Sequence, residues 1–216
     1  HLMKKLSSKV VLFAVCLACV HGSSVSHAFD NVLGSATLAI AEDFYFGNKV
    51  APDFQKAYSI FLSEARNNNS VAQKRLGDYF YEGRAVPPNY ELAFDWYYKS
   101  ALNNNTEAQV IVAEMYGNGD GVLRDTSKAV EWLLKAANNG STEAKFMLGV
   151  IYNEGQGVSQ DYISSYMWFC LAAESGNEYA DKVKDFMADK LLTRSQLKKA
   201  MELLDNYRKN GVFANN

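Results

Sequence analysis

The chain is 216 residues long, 48% hydrophobic and 21% charged, with a formal net charge of −2. That apolar content supports a packed core and excludes a disordered chain. Past residue 28 no stretch approaches the ~18 apolar residues that a transmembrane helix needs, so the body of the protein is expected to be soluble.

Residues 1–28 stand apart. Lys4, Lys5 and Lys9 precede an apolar run over residues 10–20 that is too short to span a bilayer, and Ser26-His27-Ala28 closes the segment with small residues. This is the layout of a secretory signal, with cleavage expected between Ala28 and Phe29 and a periplasmic or secreted product. Leu17-Ala18-Cys19 approaches a lipoprotein signal, but Cys16 stands where leucine is usual, so lipidation through Cys19 is the lesser alternative. His1 and Leu2 precede Met3. Removing the segment takes away His1, His21, His27, Cys16 and Cys19, and losing its three lysines moves the formal net charge from −2 to −5. Cys170, in Trp168-Phe169-Cys170-Leu171, then has no disulfide partner and is expected to be a buried small hydrophobe.

After a short leader, 29–34, one 36-residue pattern recurs four times, over 35–70, 71–106, 107–142 and 143–178. Ala36, Ala72, Ala108 and Ala144 keep this spacing. So do Gly47, Gly83, Gly119 and Gly155, and so do Ile60, Trp96, Trp132 and Trp168. Tandem units of this length predict helical hairpins that bury their faces on one another. Within a unit, Ser70-Val71-Ala72-Gln73 and Thr106-Glu107-Ala108-Gln109 have the form of a capping box and predict the start of a first helix. A glycine ends that helix at positive φ. Asp53, Asn89, Asp125 and Asp161 then cap a second helix, which stops where only Asn or Gly occurs: Asn68, Asn104, Gly140 and Gly176. Small residues at Ala41, Gly77, Ala113 and Gly149 predict close approach of paired helices. Trp96, Trp132 and Trp168 follow the buried periodicity and are expected in the core. Residues 179–216 predict a terminal helix pair, in which Thr193-Arg194-Ser195-Gln196 opens an amphipathic helix on Leu197, Ala200, Met201, Leu204 and Tyr207.

This pattern resembles the Sel-one-like repeat family, relatives of the tetratricopeptide repeats. The resemblance rests on Ala144, Leu148, Gly149 and Tyr152 in a first helix, on the Gly119-x-Gly121-Val122 and Gly155-x-Gly157-Val158 loops, and on Lys128-Ala129-x-x-Trp132 in a second. It implies an all-α fold, an α/α solenoid of helix-turn-helix repeats in a right-handed superhelix with a C-terminal capping helix pair. The first copy departs furthest, with Ile60 for tryptophan and Asn48-Lys49 in the loop.

Without mature histidine, no Ser-His-Asp or Cys-His nucleophile and no histidine-based metal site can be assembled, and no cofactor is expected. Gly117 to Gly121 ends a helix instead of opening one after a strand, which argues against a phosphate loop. The resemblance places first helices along a concave surface, so the phases that vary between copies predict a partner-binding groove. These are Leu38, Glu42, Tyr45 and Phe46, then Lys74, Asp78, Tyr81 and Glu82, then Glu114, then Phe146 and Asn153. Its exposed aromatic residues and acids favour a protein or peptide partner of basic character, not a nucleic acid.

The expected function is an exported, non-enzymatic interaction scaffold, the role the resemblance implies. One alternative is a periplasmic inhibitor or immunity protein against a toxin or cell-wall enzyme. Another is a peptidoglycan hydrolase using the stacked carboxylates of Glu42, Asp78 and Glu114.

Overall fold

The computed structural model describes residues 22–211 and Phe213, and these residues form ten helices and no strand. They are α1 Gly22–Phe46, α2 Phe54–Arg66, α3 Ser70–Glu82, α4 Tyr90–Leu102, α5 Thr106–Asn118, α6 Thr126–Asn138, α7 Thr142–Glu154, α8 Tyr162–Glu174, α9 Glu178–Lys190 and α10 Arg194–Asn210. The fold is an all-α solenoid of consecutive helix hairpins. Residues 1–21 of the expected signal, with Cys16 and Cys19, lie outside the described residues, and α1 runs without a break through Ala28 and Phe29. The chain divides into two compact units, His1–Ala72 and Gln73–Asn216.

The 36-residue spacing is visible as repeated backbone chemistry. Gly47, Gly83, Gly119 and Gly155 all have φ between 65° and 85°. Nine residues before the end of each loop pairing, the carbonyls of Phe44, Phe80, Tyr116 and Tyr152 accept the amides of Asp53, Asn89, Asp125 and Asp161 at 2.8–2.9 Å. The side chains of those four residues in turn accept amides in the first turn of α2, α4, α6 and α8. Each loop thus closes one helix and opens the next, satisfying the groups left over at helix termini. Asn68 and Asn104 at φ 60°, with Gly140 and Gly176, occupy the left-handed positions after the second helices.

First helices begin differently from the sequence expectation. Their caps are Asn69, Asn105, Ser141 and Asn177, one residue before the proposed Ser70 and Thr106. The glutamines assigned to the capping boxes are turned inward. Gln73 accepts from the Asn103 side chain at 2.8 Å, and Gln109 accepts from Asn139 at 3.0 Å while donating to the Ala101 carbonyl at 3.1 Å. Both are buried, so these bonds satisfy amides that would otherwise be costly to desolvate. The Thr193–Gln196 capping box of α10 forms as expected.

In the first unit, Tyr45, Phe61, Ala41, Ala57 and Ala65 make the buried core of the α1–α2 hairpin. In the second, one apolar cluster runs from Ala93 through Met115, Leu133 and Trp168 to Leu204. A Cβ built on Gly77 would lie 2.4 Å from the Tyr97 ring, and one on Gly149 would lie 2.7 Å from Phe169. Bare backbone at those positions is what lets the paired helices meet. Trp168 is fully buried and Trp132 nearly so, but Trp96 is only half-buried, its ring covered by the Lys99 ammonium at 4.3 Å. The core expectation for Trp96 is corrected accordingly. Helix α10 caps the array through Ala200 and Leu204, while Tyr207 meets Trp168 edge-on at 5.2 Å and donates to Asn138.

Candidate functional site

The first four groove residues belong to the first unit, and two of them are not surface. Leu38 is buried, and Tyr45 is only 1% exposed, ringed edge-on by Phe46, Phe54 and Phe61 at 5.0–6.0 Å. The exposed aromatic expected at Tyr45 is therefore a core residue, because the neighbouring hairpin positions are all phenylalanine. Glu42 is half-buried and Phe46 is exposed.

In the second unit Asp78 is also buried, and its carboxylate is fully engaged. Tyr97 donates to one oxygen at 2.9 Å, while Lys74 and Arg75 both meet the other at 3.1 Å. Lys74 reaches Glu107 as well, at 3.5 Å. Lys74 and Asp78 thus form an internal polar knot instead of a free groove surface, and the expectation of Asp78 as an accessible acid is corrected. Glu82 is exposed and paired with Arg84. Asn153 is half-buried, and its carbonyl accepts from Gln160 at 2.7 Å.

Glu114, Phe146 and Tyr81 remain, and the second unit gathers them about two adjoining concavities. The larger is a cleft of about 590 Å³ among α5, α6 and α7, walled by Ala113, Leu133, Phe146, Met147, Val150 and Ile151, with Glu114, Asn118, Arg124, Thr126 and Gln156 as its polar groups. Gly117 lies on its wall, and a Cβ built there meets nothing within 4 Å. The smaller, about 220 Å³, is lined by Tyr81, Tyr97, Ile111, Glu114, Met115, Asn118 and Asp120. Glu114 and Asn118 are common to both.

The local sequence explains this arrangement. Helix α5 buries Val110, Val112, Ala113, Met115 and Tyr116, which leaves Glu114 and Gly117 on the face turned away from the core. The α5–α6 loop is held down because Gly121, at φ 68°, lets the chain pass where a Cβ would be 2.1 Å from the Tyr90 carbonyl. That close passage fixes Asp120 beside the pocket, where it accepts from Asn118 at 3.2 Å. Tyr81 stands edge-on to Tyr90 at 5.1 Å and to Tyr97 at 6.4 Å.

The electrostatics follow from these walls. Partial burial, reinforced by Glu143 on α7, raises the Glu114 carboxyl above its ordinary value. Burial, then Asp120, Tyr90 and Glu114, raise the Tyr81 hydroxyl. Among the described residues neither Glu114 nor Asp120 has an ion-pair partner. Cys170, by contrast, is buried and its thiol is pushed up by desolvation, as an inert core residue should be.

Tyr97, Asp120 and Met147 were not among the expected site residues. Tyr97 was visible in principle, since Phe61, Leu133 and Phe169 hold its phase and a hydroxyl there needs a partner. Asp120 sat inside a glycine-rich loop whose only evident role was to end α5.

The Sel1 repeat pattern matches residues 70–105, 106–141 and 142–177. Among solved structures, the chain is similar to a protective antigen present in uropathogenic Escherichia coli strains displaying an SLR fold, with 27% identity and a TM-score of 0.69 over 84% of this chain and 42% of that one. The chain therefore spans less than half the length of that protein. It is also similar to a Sel1 repeat protein from Oxalobacter formigenes, with 26% identity and a TM-score of 0.67 over 84% of this chain and 75% of the other. Comparison with curated proteins finds no match. Proteins built of this repeat generally act as scaffolds for protein–protein interaction.

Proposed function

The chain belongs to the Sel1-repeat family, and from that premise we propose that it is an exported, non-enzymatic scaffold that holds a segment of a partner protein in the cleft between α5 and α7. The observation that carries this reading is Glu114, an exposed carboxylate with no ion-pair partner among the described residues, set beside the apolar wall of Ala113, Phe146 and Val150. Leaving such a group partly desolvated raises its pKa and costs stability, and a partner's positive charge beside apolar side chains removes that cost. The cleft size suits a few side chains of a bound segment, with Phe146, Met147 and Val150 as the apolar floor. Export rests on the basic flank, apolar run and small-residue exit of residues 1–28.

Photocrosslinking tests the reading. A photoreactive residue placed at Gly117, where there is open space, should capture one partner from envelope extracts in a salt-sensitive manner. The same residue at Glu131, exposed on α6 and outside the cleft, should not. Equal yields at both positions, or none at Gly117, would overturn the cleft as the docking surface.

A further inference from the structure

The smaller cavity has a composition that the cleft does not. Its lining offers two carboxylates, Glu114 and Asp120, the Asn118 amide, two tyrosine rings and the apolar Ile111 and Met115, with no basic residue. At about 220 Å³ it is below the size of sites that enclose metabolites or cofactors, which run to about 300–1,000 Å³, and it suits a single side chain. Arg124 lines the larger cleft and not this cavity, and other basic side chains of the second unit are held by carboxylates elsewhere. Lys74 and Arg75 are held by Asp78, and Arg84 by Glu82. Tyr97 also has its hydroxyl engaged by Asp78, so its ring is held in place as a wall.

We propose that this cavity is a socket for one arginine side chain of the partner, with Glu114 and Asp120 receiving the guanidinium and the Tyr81 ring flanking it. The proposal rests on the scaffold reading for the source of the arginine. Two acids on separate elements, one on α5 and one on the following loop, present acceptors to a planar fork with five donors. A lysine ammonium is a compact point charge and gains less from a second acceptor and from an aromatic face. Low-polarity walls concentrate the field of both carboxylates in a small volume. Because Glu114 also borders the larger cleft, the socket sets a register: the residue next to the inserted arginine falls on Phe146, Met147 and Val150. The recognised segment is then an arginine followed or preceded by a large apolar residue.

The probes are three blocked dipeptide amides, acetyl-Leu-Arg, acetyl-Leu-Lys and acetyl-Leu-citrulline, titrated into the whole protein. Shifts of the Met115 and Met147 methyl signals and the Tyr81 ring signals are followed by NMR. The arginine peptide should shift Met115 and Tyr81 saturably, the lysine peptide should bind severalfold more weakly, and the neutral citrulline isostere should produce no saturable shift. Glu114→Gln and Asp120→Asn should each weaken the arginine peptide by about tenfold, since each removes the charge from a charge-assisted hydrogen bond. Thermal melts of both variants no lower than that of the wild type would show that folding is not the cause, and a variant that melts low is replaced by Tyr81→Leu with the same expectation. Equal binding of arginine and citrulline, or unchanged affinity in the variants, overturns the socket. If the socket fails while Gly117 crosslinking persists, the scaffold stands without it. If arginine binds but crosslinking at Gly117 fails, the socket stands and the cleft reading falls.

Discussion

Tyr45 and Tyr81 are the same residue one period apart, at the same place near the end of a first helix, yet one is 1% exposed and the other 40%. Their surroundings explain it. Around Tyr45 the first hairpin places Phe46, Phe54 and Phe61, all apolar and edge-on. One period on, those positions are Glu82, Tyr90 and Tyr97. Tyr97 turns its hydroxyl to Asp78, and Glu82 faces solvent. The repeat thus fixes where a side chain starts, and the polarity of its neighbours decides whether it ends in core or in a wall.

The sharpest way to break this comparison is truncation at both tyrosines. Tyr45→Ala should lower stability by about 3–5 kcal/mol, the range for deleting a buried aromatic, whereas Tyr81→Ala should cost no more than the ~0.5–1.5 kcal/mol of an edge-on ring pair. Urea denaturation of the two variants reads the difference directly. Equal losses would mean that the two environments are alike.

Next in size is the polar knot that distinguishes the second hairpin. Tyr97→Phe leaves one oxygen of buried Asp78 without a donor, and should cost about 1–3 kcal/mol although it removes a single atom. Loss below about 0.5 kcal/mol would show that Lys74 and Arg75 satisfy the carboxylate alone.

Much of this was legible because some requirements are local. The left-handed positions at Asn68, Asn104, Gly140 and Gly176, and the caps at Asp53, Asn89, Asp125 and Asp161, each answer to the backbone within a few residues. The cap of α5 was harder, since Asn105 and Thr106 are adjacent and both are good capping residues. The inward turn of Gln73 and Gln109 depends on amides 30 residues away, and the burial of Tyr45 depends on rings in the next helix. Neither is written in the residues beside them. Of the candidate site, Tyr81, Glu114 and Phe146 are residues that phase alone puts forward, but the engagement of Asp78 by three partners and the placement of Asp120 by Gly121 come from packing.

Glycines on first helices extend the same lesson, with a change of sign. Gly77→Ala drives a Cβ into the Tyr97 ring and should destabilise by about 1–3 kcal/mol. Gly117→Ala adds a Cβ in open space within α5 and should stabilise by about 0.5–1 kcal/mol, through helix propensity alone. A thermal melt of each variant tests the pair. A stabilising Gly77→Ala would show that the second hairpin is less tightly closed than its geometry requires.

The smallest effect is a pH slope, and it separates two acids of one hairpin. Glu114 has its carboxyl raised by burial and then by Glu143, so the folded protein holds that proton more tightly than the unfolded chain. Stability from this group is fully present below the ordinary glutamate range and is lost as pH rises through the raised value. Asp125 is the reverse. Its carboxyl is lowered, first by the Lys128 backbone amide it caps, so its contribution is present above the ordinary aspartate range and lost as pH falls through the depressed value. Glu114→Gln should therefore gain stability over the wild type at neutral pH, with the gain closing in acid. Asp125→Asn should lose at neutral pH, with the loss closing in acid. Denaturation midpoints measured from about pH 3 to pH 7 show both trends, the ordinary carboxylate values being about 3.9 and 4.3. A cationic peptide seated on Glu114 should abolish the first trend and leave the second untouched, because only the cleft acid is waiting for a charge.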